Sequence, residues 1–452
     1  MAATRPAYFS VAACILVAGC QRYAALPLPA TDNLATVVEV GASPGVPRLT
    51  SGRTRTELSL SDAAYLTVVN NPDLKAAVES LKVADAKLYG SHLFPDPQLT
   101  WGIDFPLTHM AGIVTAYGIV PSYDIQALIL HRAAVSGAEA SRRQVILSVQ
   151  WQGWQIAQKA RDLFIQNTFI NEKLMVVQRE TVLFRQDYER EKRALASGDV
   201  TSVAVSADLV ALTDADRDFG SLRRQAAAIH IALAASMGVR PELIFSLAPL
   251  DKPLPPDVDN ASLLLRSLPD RRPDLLALRA GYDSQEAAVR GAILAQFPSL
   301  SLGINRARDN TGVNSIGPAI TMTLPLFNRN RGQIATEEAT REQLRAEYQA
   351  RIDKSISDVR ALQSEIALLR QEVPSLEWAI NELRGNVERA RHGFETGDFP
   401  ALSFVSMQTS LYAKELELLD RRQGIWQAVN NLTALLGDGP PELAAPWNMA
   451  LR

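Results

Sequence analysis

The side chains that most often bind metals or act as nucleophiles are few in this chain and lie far apart. Its two cysteines, Cys14 and Cys20, are both near the amino terminus, so no pair remains for a disulfide or a thiolate site in the body of the chain. The five histidines are scattered, and none lies three or four residues from another, the spacing of a helical metal pair. A phosphate-binding glycine loop and a nucleophile elbow are also missing. We therefore expect neither an enzyme nor a metal or cofactor site.

Cys20 completes a targeting pattern. Residues 11–17 form an apolar stretch too short to span a bilayer, and Val17-Ala18-Gly19-Cys20 resembles the lipobox of bacterial lipoproteins. By that resemblance, residues 1–19 are a signal peptide and Cys20 is lipidated. Gln21 follows where an aspartate would favour retention in the inner membrane, so we expect the outer membrane. The alternatives are an ordinary signal peptide and a buried amino-terminal helix.

The rest of the chain repeats one pattern. Pro72-Asp73-Leu74 returns 201 residues later as Pro273-Asp274-Leu275, and Gly198-Asp199 returns 199 residues later as Gly397-Asp398. Such constant spacing indicates two copies of one unit, each with a helix, two strands, a very long helix, a glycine turn and a further long helix. The predicted segments are a lipidated extended segment at 20–58, repeat one at 59–238, a proline-rich linker at 239–261, repeat two at 262–437 and a tail at 438–452.

Each repeat has short segments in which apolar and polar residues alternate, as in strands with one apolar face. These strands are expected at about 97–126 and 298–327. After Cys20 no apolar run is long enough for a spanning helix, so a mature chain that crosses a membrane must do so as strands. A half-buried strand of a soluble sheet gives the same alternation. The residues predicted to face lipid are Leu99, Trp101, Ile103, Phe105, Leu302, Ile304, Met322 and Leu324.

The long helices show heptad spacing. One series runs from Val149 to Phe184 in steps of seven, and another runs from Val359 to Val387. Helices over about 132–196 and 333–395 would each be on the order of 90–100 Å long at the usual rise per residue. We expect a kink at Pro374, which lacks the backbone N–H.

A glycine turn follows each long helix. Gly198 and Gly397 can adopt the left-handed conformation that ends a helix. We expect Thr201 or Ser202, and Ser403, to cap the returning helices. These turns would be the tips of helical hairpins, far from the strands.

Taken together, these motifs resemble the TolC-like outer-membrane efflux family over about residues 59–437. The segments that carry the resemblance are Asn71-Pro72-Asp73-Leu74, Arg272-Pro273-Asp274-Leu275, Gln296-Phe297-Pro298-Ser299-Leu300, Leu324-Pro325-Leu326-Phe327, Gly397 with the following Phe404-Val405-Ser406 and Gln408, and Leu435-Leu436-Gly437. The segments Ala295-Gln296-Phe297-Pro298 and 326–332 are most similar to members grouped with heavy-metal cation efflux systems.

The resemblance implies a mainly helical fold with a small sheet. It implies a homotrimer with a twelve-stranded barrel in the outer membrane, continued by a helical tunnel in the periplasm. Its implied role is that of a passive exit duct for small molecules or metal cations. Its implied partners are outer-membrane lipid, a periplasmic adaptor and an inner-membrane transporter of the resistance-nodulation-division type, with the adaptor docking at Gly198, Asp199, Gly397 and Asp398. A formal net charge of −3 argues against a nucleic-acid partner.

One departure from the family concerns the periplasmic gate. Family members often carry acidic residues six and nine positions after the second tip glycine, where this chain has Ser403 and Ser406. An acidic constriction would therefore need other residues, and the candidates are Asp199, Asp398 and Asp208. Solvated surface charge is the alternative for all three.

Two other functions fit parts of the pattern. A channel of a type I protein secretion system would use the same duct with a different inner-membrane partner. A periplasmic coiled-coil adaptor or scaffold lipoprotein would keep the long helices and hold the strands in a soluble sheet.

Overall fold

The computed structural model describes residues 23–31, 34, 57–107, 112–243, 245–250, 252, 254–255, 261–396 and 398–437. The chain divides into two compact units, residues 1–35 and 36–452. In the first unit the described residues are outside helices and strands. The predicted signal peptide with Cys20, the tip residue Gly397 and the predicted tail at 438–452 lie outside the described residues.

The second unit contains the helices and strands, and a strand hairpin followed by a long and a shorter helix occurs twice. Within the described residues, none of the helices is long and apolar enough to cross a membrane. The elements are β1 (Glu57–Leu58), α1 (Leu60–Asn70), α2 (Pro72–His92), β2 (Gln98–Asp104), β3 (Ala116–Asp124), α3 (Ile125–Ser197), α4 (Ser202–Ser236), β4 (Ser246–Leu247), α5 (Ala261–Arg266), α6 (Leu268–Arg271), α7 (Pro273–Leu294), β5 (Leu300–Arg308), β6 (Asn314–Met322), α8 (Arg331–Thr396) and α9 (Ala401–Leu435).

The two hairpins form one antiparallel sheet in the order β2-β3-β5-β6. Leu302 of β5 lies opposite Tyr123 on β3 and opposite Ile320 on β6. The pairing of β3 with β5 therefore joins the hairpin of repeat one to the hairpin of repeat two. Trp101 lies opposite Ile119 on that same face. Because side chains alternate along a strand, the four strands share one apolar face and one face of small and polar residues.

Two of the residues predicted on the apolar face lie beyond the strands. β2 ends at Asp104, one residue before Phe105, and β6 ends at Met322, two residues before Leu324. The prediction that these residues belong to strands is wrong. Pro106 and Pro325 follow them directly, and proline cannot donate the backbone hydrogen bond that would extend the ladder.

The long helix α3 has 73 residues, which corresponds to about 110 Å. It begins seven residues before the predicted start at 132 because Asp124, the last residue of β3, caps it. The Oδ1 atom of Asp124 accepts hydrogen bonds from the backbone N–H groups of Gln126 and Ala127, at 2.9 and 3.2 Å. The strand therefore continues into the helix without a loop.

The second long helix, α8, has 66 residues and continues through Pro374. Its predicted heptad series is buried, since Val359, Ile366, Val373, Ile380 and Val387 are each at most 8% exposed. The predicted packing of this helix is therefore confirmed from Val359 to Val387, whereas residues 331–354 contain no buried side chain.

The long helices pack with α4 and α9. Phe184 of α3 meets Tyr412 of α9 edge to face, with ring centroids 6.2 Å apart. Nearer the tips, Phe394 of α8 stacks on Phe404 of α9 at 4.7 Å. Each pair joins different helices, and Leu212 and Ala215 of α4 belong to the same buried cluster as Phe184 and Tyr412, so the four helices form one packed bundle.

A short parallel ladder was not predicted. β1 pairs with β4, and the N–H of Ala248 donates to the carbonyl oxygen of Leu58 at 2.8 Å. The predicted linker thus binds back onto the segment that precedes α1.

Candidate functional site at the helical tips

The first tip is a left-handed glycine turn. Gly198 has φ +83° and follows the last residue of α3. The N–H of Asp199 donates to the carbonyl oxygen of Ala194 at 2.9 Å, and the Ser197 hydroxyl donates to the Asp199 carboxylate at 2.5 Å. The carboxylate is therefore held by its own turn and stays exposed at the surface.

The second tip uses the same chemistry around Asp398. Its N–H donates to the carbonyl oxygen of Gly393 at 2.8 Å, and its carboxylate accepts from the Thr396 hydroxyl at 2.8 Å. Asp398 is exposed, as Asp199 is. The two repeats thus end in turns that each present one ordered aspartate.

The predicted hydroxyl caps of the returning helices are wrong. Thr201 stands at the cap position of α4, but its side chain makes no capping hydrogen bond. α9 begins at Ala401 after Pro400, so Ser403 lies inside its first turn. Proline, with its fixed φ, starts this helix without a side-chain acceptor.

The gate candidates do not share one surface. Ser403 and Ser406 are exposed on α9, and the Ser406 hydroxyl donates to the carbonyl oxygen of Leu402 at 2.9 Å. Asp208 of α4 is only 1% exposed. It therefore faces the interior of the helix bundle and cannot contribute to an acidic ring on a surface of this chain.

Asp208 belongs to a buried polar layer that lies one turn from the Phe184–Tyr412 contact. The layer also contains Asp187 and Glu191 of α3 and Gln408 of α9, all no more than 6% exposed. Within the described residues, neither carboxylate oxygen of Asp208 has a hydrogen-bond partner. We call these four residues the carboxylate layer.

Burial raises the pKa of Asp208 to about 7, and the negative charges of Glu191 and Asp187 add to the shift while Arg190 opposes it. Burial also raises the pKa values of Asp187 and Glu191. An Arg190 guanidinium nitrogen lies 3.5 Å from a carboxylate oxygen of Asp187. Its positive charge lowers the pKa of Asp187 and so opposes part of the effect of burial. Burial thus favours the protonated form of the Asp208 carboxyl at pH values below about 7.

Sequence reasoning missed this layer although the signal was present. Glu191 lies seven residues after Phe184, so it continues the heptad series that begins at Val149. A glutamate at a heptad core position indicates a buried charge. The part that Asp208 and Gln408 play depends on how separate helices pack, which the heptad alone does not show.

The residues predicted to face lipid are all exposed in the single chain, from 44% for Leu302 to 71% for Phe105. A contiguous exposed apolar face of this kind marks an interaction surface. Within the described residues, no group of three histidine, cysteine, aspartate or glutamate side chains is arranged to hold a metal ion.

The described residues thus combine a sheet that has one exposed apolar face with two helices of about 100 Å, each of which leads to a tip turn. Residues 264–438 match the family model described as outer membrane efflux protein. This match covers less than half of the chain and shows that repeat two is similar to the outer membrane efflux proteins, whose family is not enzymatic.

Three similar proteins illustrate the relationship. Outer membrane protein OprJ of Pseudomonas aeruginosa is 27% identical over 46% of this chain and 43% of its own length. The probable outer membrane lipoprotein SilC of Salmonella typhimurium is 24% identical over 41% of each chain. A crystal structure of a membrane protein from Pseudomonas aeruginosa has a TM-score of 0.74 at 19% identity, over 90% of this chain and 98% of that one. The two sequence matches thus span less than half of either relative, and the structural match supports the fold.

Proposed function

We propose that this chain is a subunit of a trimeric outer-membrane channel that serves as the passive exit duct of a tripartite efflux pump. The observation that carries the proposal is a single sheet that has one exposed apolar face and whose strand β3 leads into α3 without a loop. Lipid would contact the apolar face, and the face of small and polar residues would line water.

The edges of the sheet support an assembly of several chains, and three copies fit the proposal. β2 and β6 are edge strands, each with one side unpaired in the single chain. Unpaired backbone groups are not tolerated in hydrocarbon, so each edge must pair with another copy. Three copies of a four-stranded sheet supply twelve strands, a number within the range of closed membrane barrels.

The helices support the duct. Three pairs of long helices and three pairs of returning helices would continue the barrel into the periplasm for about 100 Å. The two tip turns of each chain would then lie at the far end, where we propose that a periplasmic adaptor docks on Gly198, Asp199, Gly397 and Asp398. The adaptor would join the duct to an inner-membrane transporter of the resistance-nodulation-division type.

We also propose that Cys20 carries a lipid anchor in the outer membrane. The support is the lipobox pattern and the similarity to SilC, whose name describes it as a probable lipoprotein. Cys20→Ala should abolish incorporation of labelled fatty acid, with Cys14→Ala as the matched control. Unchanged labelling of Cys20→Ala would contradict the anchor.

The decisive experiment for the function is deletion of the gene, followed by growth against graded metal salts, dyes and antibiotics. We expect sensitivity to at least one class, restored by the wild-type gene and not by a variant that fails to form trimers. Metal sensitivity would identify a cation duct, which the similarity of segment 326–332 to metal-efflux members favours. Drug sensitivity alone would identify multidrug export.

Two results would support the alternatives. Loss of a secreted protein without any sensitivity would favour the type I secretion channel. A detergent-extracted particle of one or two chains would exclude the shared barrel and favour the periplasmic scaffold, whose sheet would lie outside the membrane.

A further inference from the structure

Two arginines interrupt the apolar face of the sheet. Arg306 and Arg308 are on β5, in the same alternation as Leu302 and Ile304. Arg306 lies opposite Ile119 of β3 and opposite Ile316 of β6, and Arg308 lies opposite Tyr117 and Asn314. The register therefore places both cations on the face that is otherwise apolar.

Neither arginine is neutralised within the described residues. Asp309, the nearest carboxylate along the chain, is occupied by its own turn, where its Oδ1 accepts from the N–H groups of Thr311 and Val313 at 2.8 and 3.0 Å. Arg308 has a buried Nε with no hydrogen-bond partner, and Arg306 is exposed. The two arginines are two residues apart on one strand, so their Cα atoms lie roughly 7 Å from each other. Their guanidinium groups are on the same face of the sheet.

Their position along the sheet is also distinctive. Both lie at the hairpin end, next to the turn between β5 and β6 and away from the helices. Toward the helices the same face is apolar, with Ile304 opposite Pro318, Leu302 opposite Ile320 and Leu300 opposite Met322. The face thus has an apolar part that fits acyl chains and a cationic rim that fits anions.

We propose that Arg306 and Arg308 bind the phosphate groups of a lipid headgroup at the hairpin rim of the barrel. The inference rests on the proposed membrane placement of the sheet. Guanidinium groups bind phosphate oxygens through paired hydrogen bonds, and long arginine side chains reach from an apolar surface to the headgroup level. We choose a lipid over a free phosphate because the apolar rows directly beside the rim would hold the acyl chains of the same molecule.

The test uses the full chain, purified in detergent, stripped of lipid and titrated with bisphosphorylated lipid A while native mass spectrometry counts bound lipids and chains. Phosphatidylethanolamine is the second probe, because it has a single phosphate in a zwitterionic headgroup. The variants are the double substitution Arg306→Gln with Arg308→Gln, and the double substitution of both to lysine. Arg345→Gln, on an exposed part of α8, is the matched control.

We expect the double glutamine variant to lose at least tenfold in lipid A affinity, with phosphatidylethanolamine binding and trimers unchanged. The lysine variant should recover part of the loss, and Arg345→Gln should bind as the wild type does. Equal lipid A binding by the glutamine variant and the wild type would overturn the inference, as would equally strong competition by inorganic phosphate. Failure of the proposed function would look different, because the wild type itself would then form no trimers and retain no lipid.

Discussion

At the residue scale, equivalent positions of the two repeats have different chemistry. Asn71 caps α2 by accepting from the N–H of Leu74 at 3.0 Å, and its amide donates to the carbonyl oxygen of Ser236 at 3.0 Å. Arg272, its counterpart 201 residues later, is a buried cation. Its guanidinium donates two hydrogen bonds to Asp274, at 2.9 and 2.7 Å, and lies 5.1 Å from the centroid of Trp151.

Arg272→Ala should lower the free energy of unfolding by about 3–5 kcal/mol, because it leaves the buried Asp274 carboxylate without its main partner. Denaturation of the purified protein, followed by circular dichroism, measures the effect. Arg279→Ala is the control, since its pair with Asp270 is exposed and 3.7 Å long, and it should cost about 0–1 kcal/mol. Equal losses in the two variants would contradict the assigned role of the buried pair.

The carboxylate layer predicts a pH dependence. The pKa of Asp208 is raised to about 7 in the folded chain from an ordinary value near 3.8, so the folded state binds the additional proton between these values. Its contribution to stability is therefore present at acid pH and is lost as pH rises toward 7, with a slope of at most about 1.4 kcal/mol per pH unit for one proton.

Asp208→Asn keeps this side chain neutral at every pH, so stability should become less sensitive to pH between 5 and 7 when melting is compared at several pH values. Asp214→Asn, at an exposed residue of the same helix paired with Arg217, should retain the wild-type profile. A wild-type pH profile in Asp208→Asn would show that the proton resides elsewhere in the layer.

At the element scale, left-handed glycines end the helices in two different environments. Gly238, with φ +64°, packs so closely on the end of α1 that a Cβ would lie 2.5 Å from the carbonyl oxygen of Asn70. Gly437, its counterpart, has φ +74° and would place a Cβ 3.1 Å from the Cβ of Arg271. At the tip, Gly198 has φ +83°, but a Cβ added there would have no neighbouring atom within 4 Å.

Gly238→Ala should therefore destabilise the chain by more than about 2 kcal/mol, since it combines backbone strain with a clash against another helix end. Gly198→Ala has the strain alone and should cost about 1–2 kcal/mol. Thermal melting of both variants separates the two terms. A similar shift in melting temperature for both would mean that the α1 contact yields without cost.

At the scale of the whole molecule, the two faces of the sheet should respond oppositely to charge. Ile320→Lys places a cation deep on the apolar face and should reduce trimer yield in membranes, because a lysine on the lipid face costs about 2–4 kcal/mol at the midplane. Thr321→Lys, one residue further on the same strand, points to the opposite face and should be tolerated. Crosslinking of membrane extracts measures trimers, and equal yields would contradict the lipid-facing assignment.

The elements that depend on local sequence were predictable because their causes lie within a few residues. Alternation along 298–305 predicted β5, and the heptad from Val359 predicted the buried stripe of α8. Gly198 predicted the left-handed end of α3 because glycine adopts positive φ without a Cβ penalty. The start of α3 was less predictable, since Asp124 is both the end of a strand and a helix cap.

The sequence by itself therefore determined the order, periodicity and faces of the elements, along with the motifs that indicated the family. Only the tertiary structure decided which distant residues meet. It joined β3 to β5, paired β1 with β4, buried Asp208 among Asp187, Glu191 and Gln408, and placed Arg306 and Arg308 opposite residues of β3 and β6. Such contacts depend on packing between elements far apart in the chain, and local spacing carries no information about that packing.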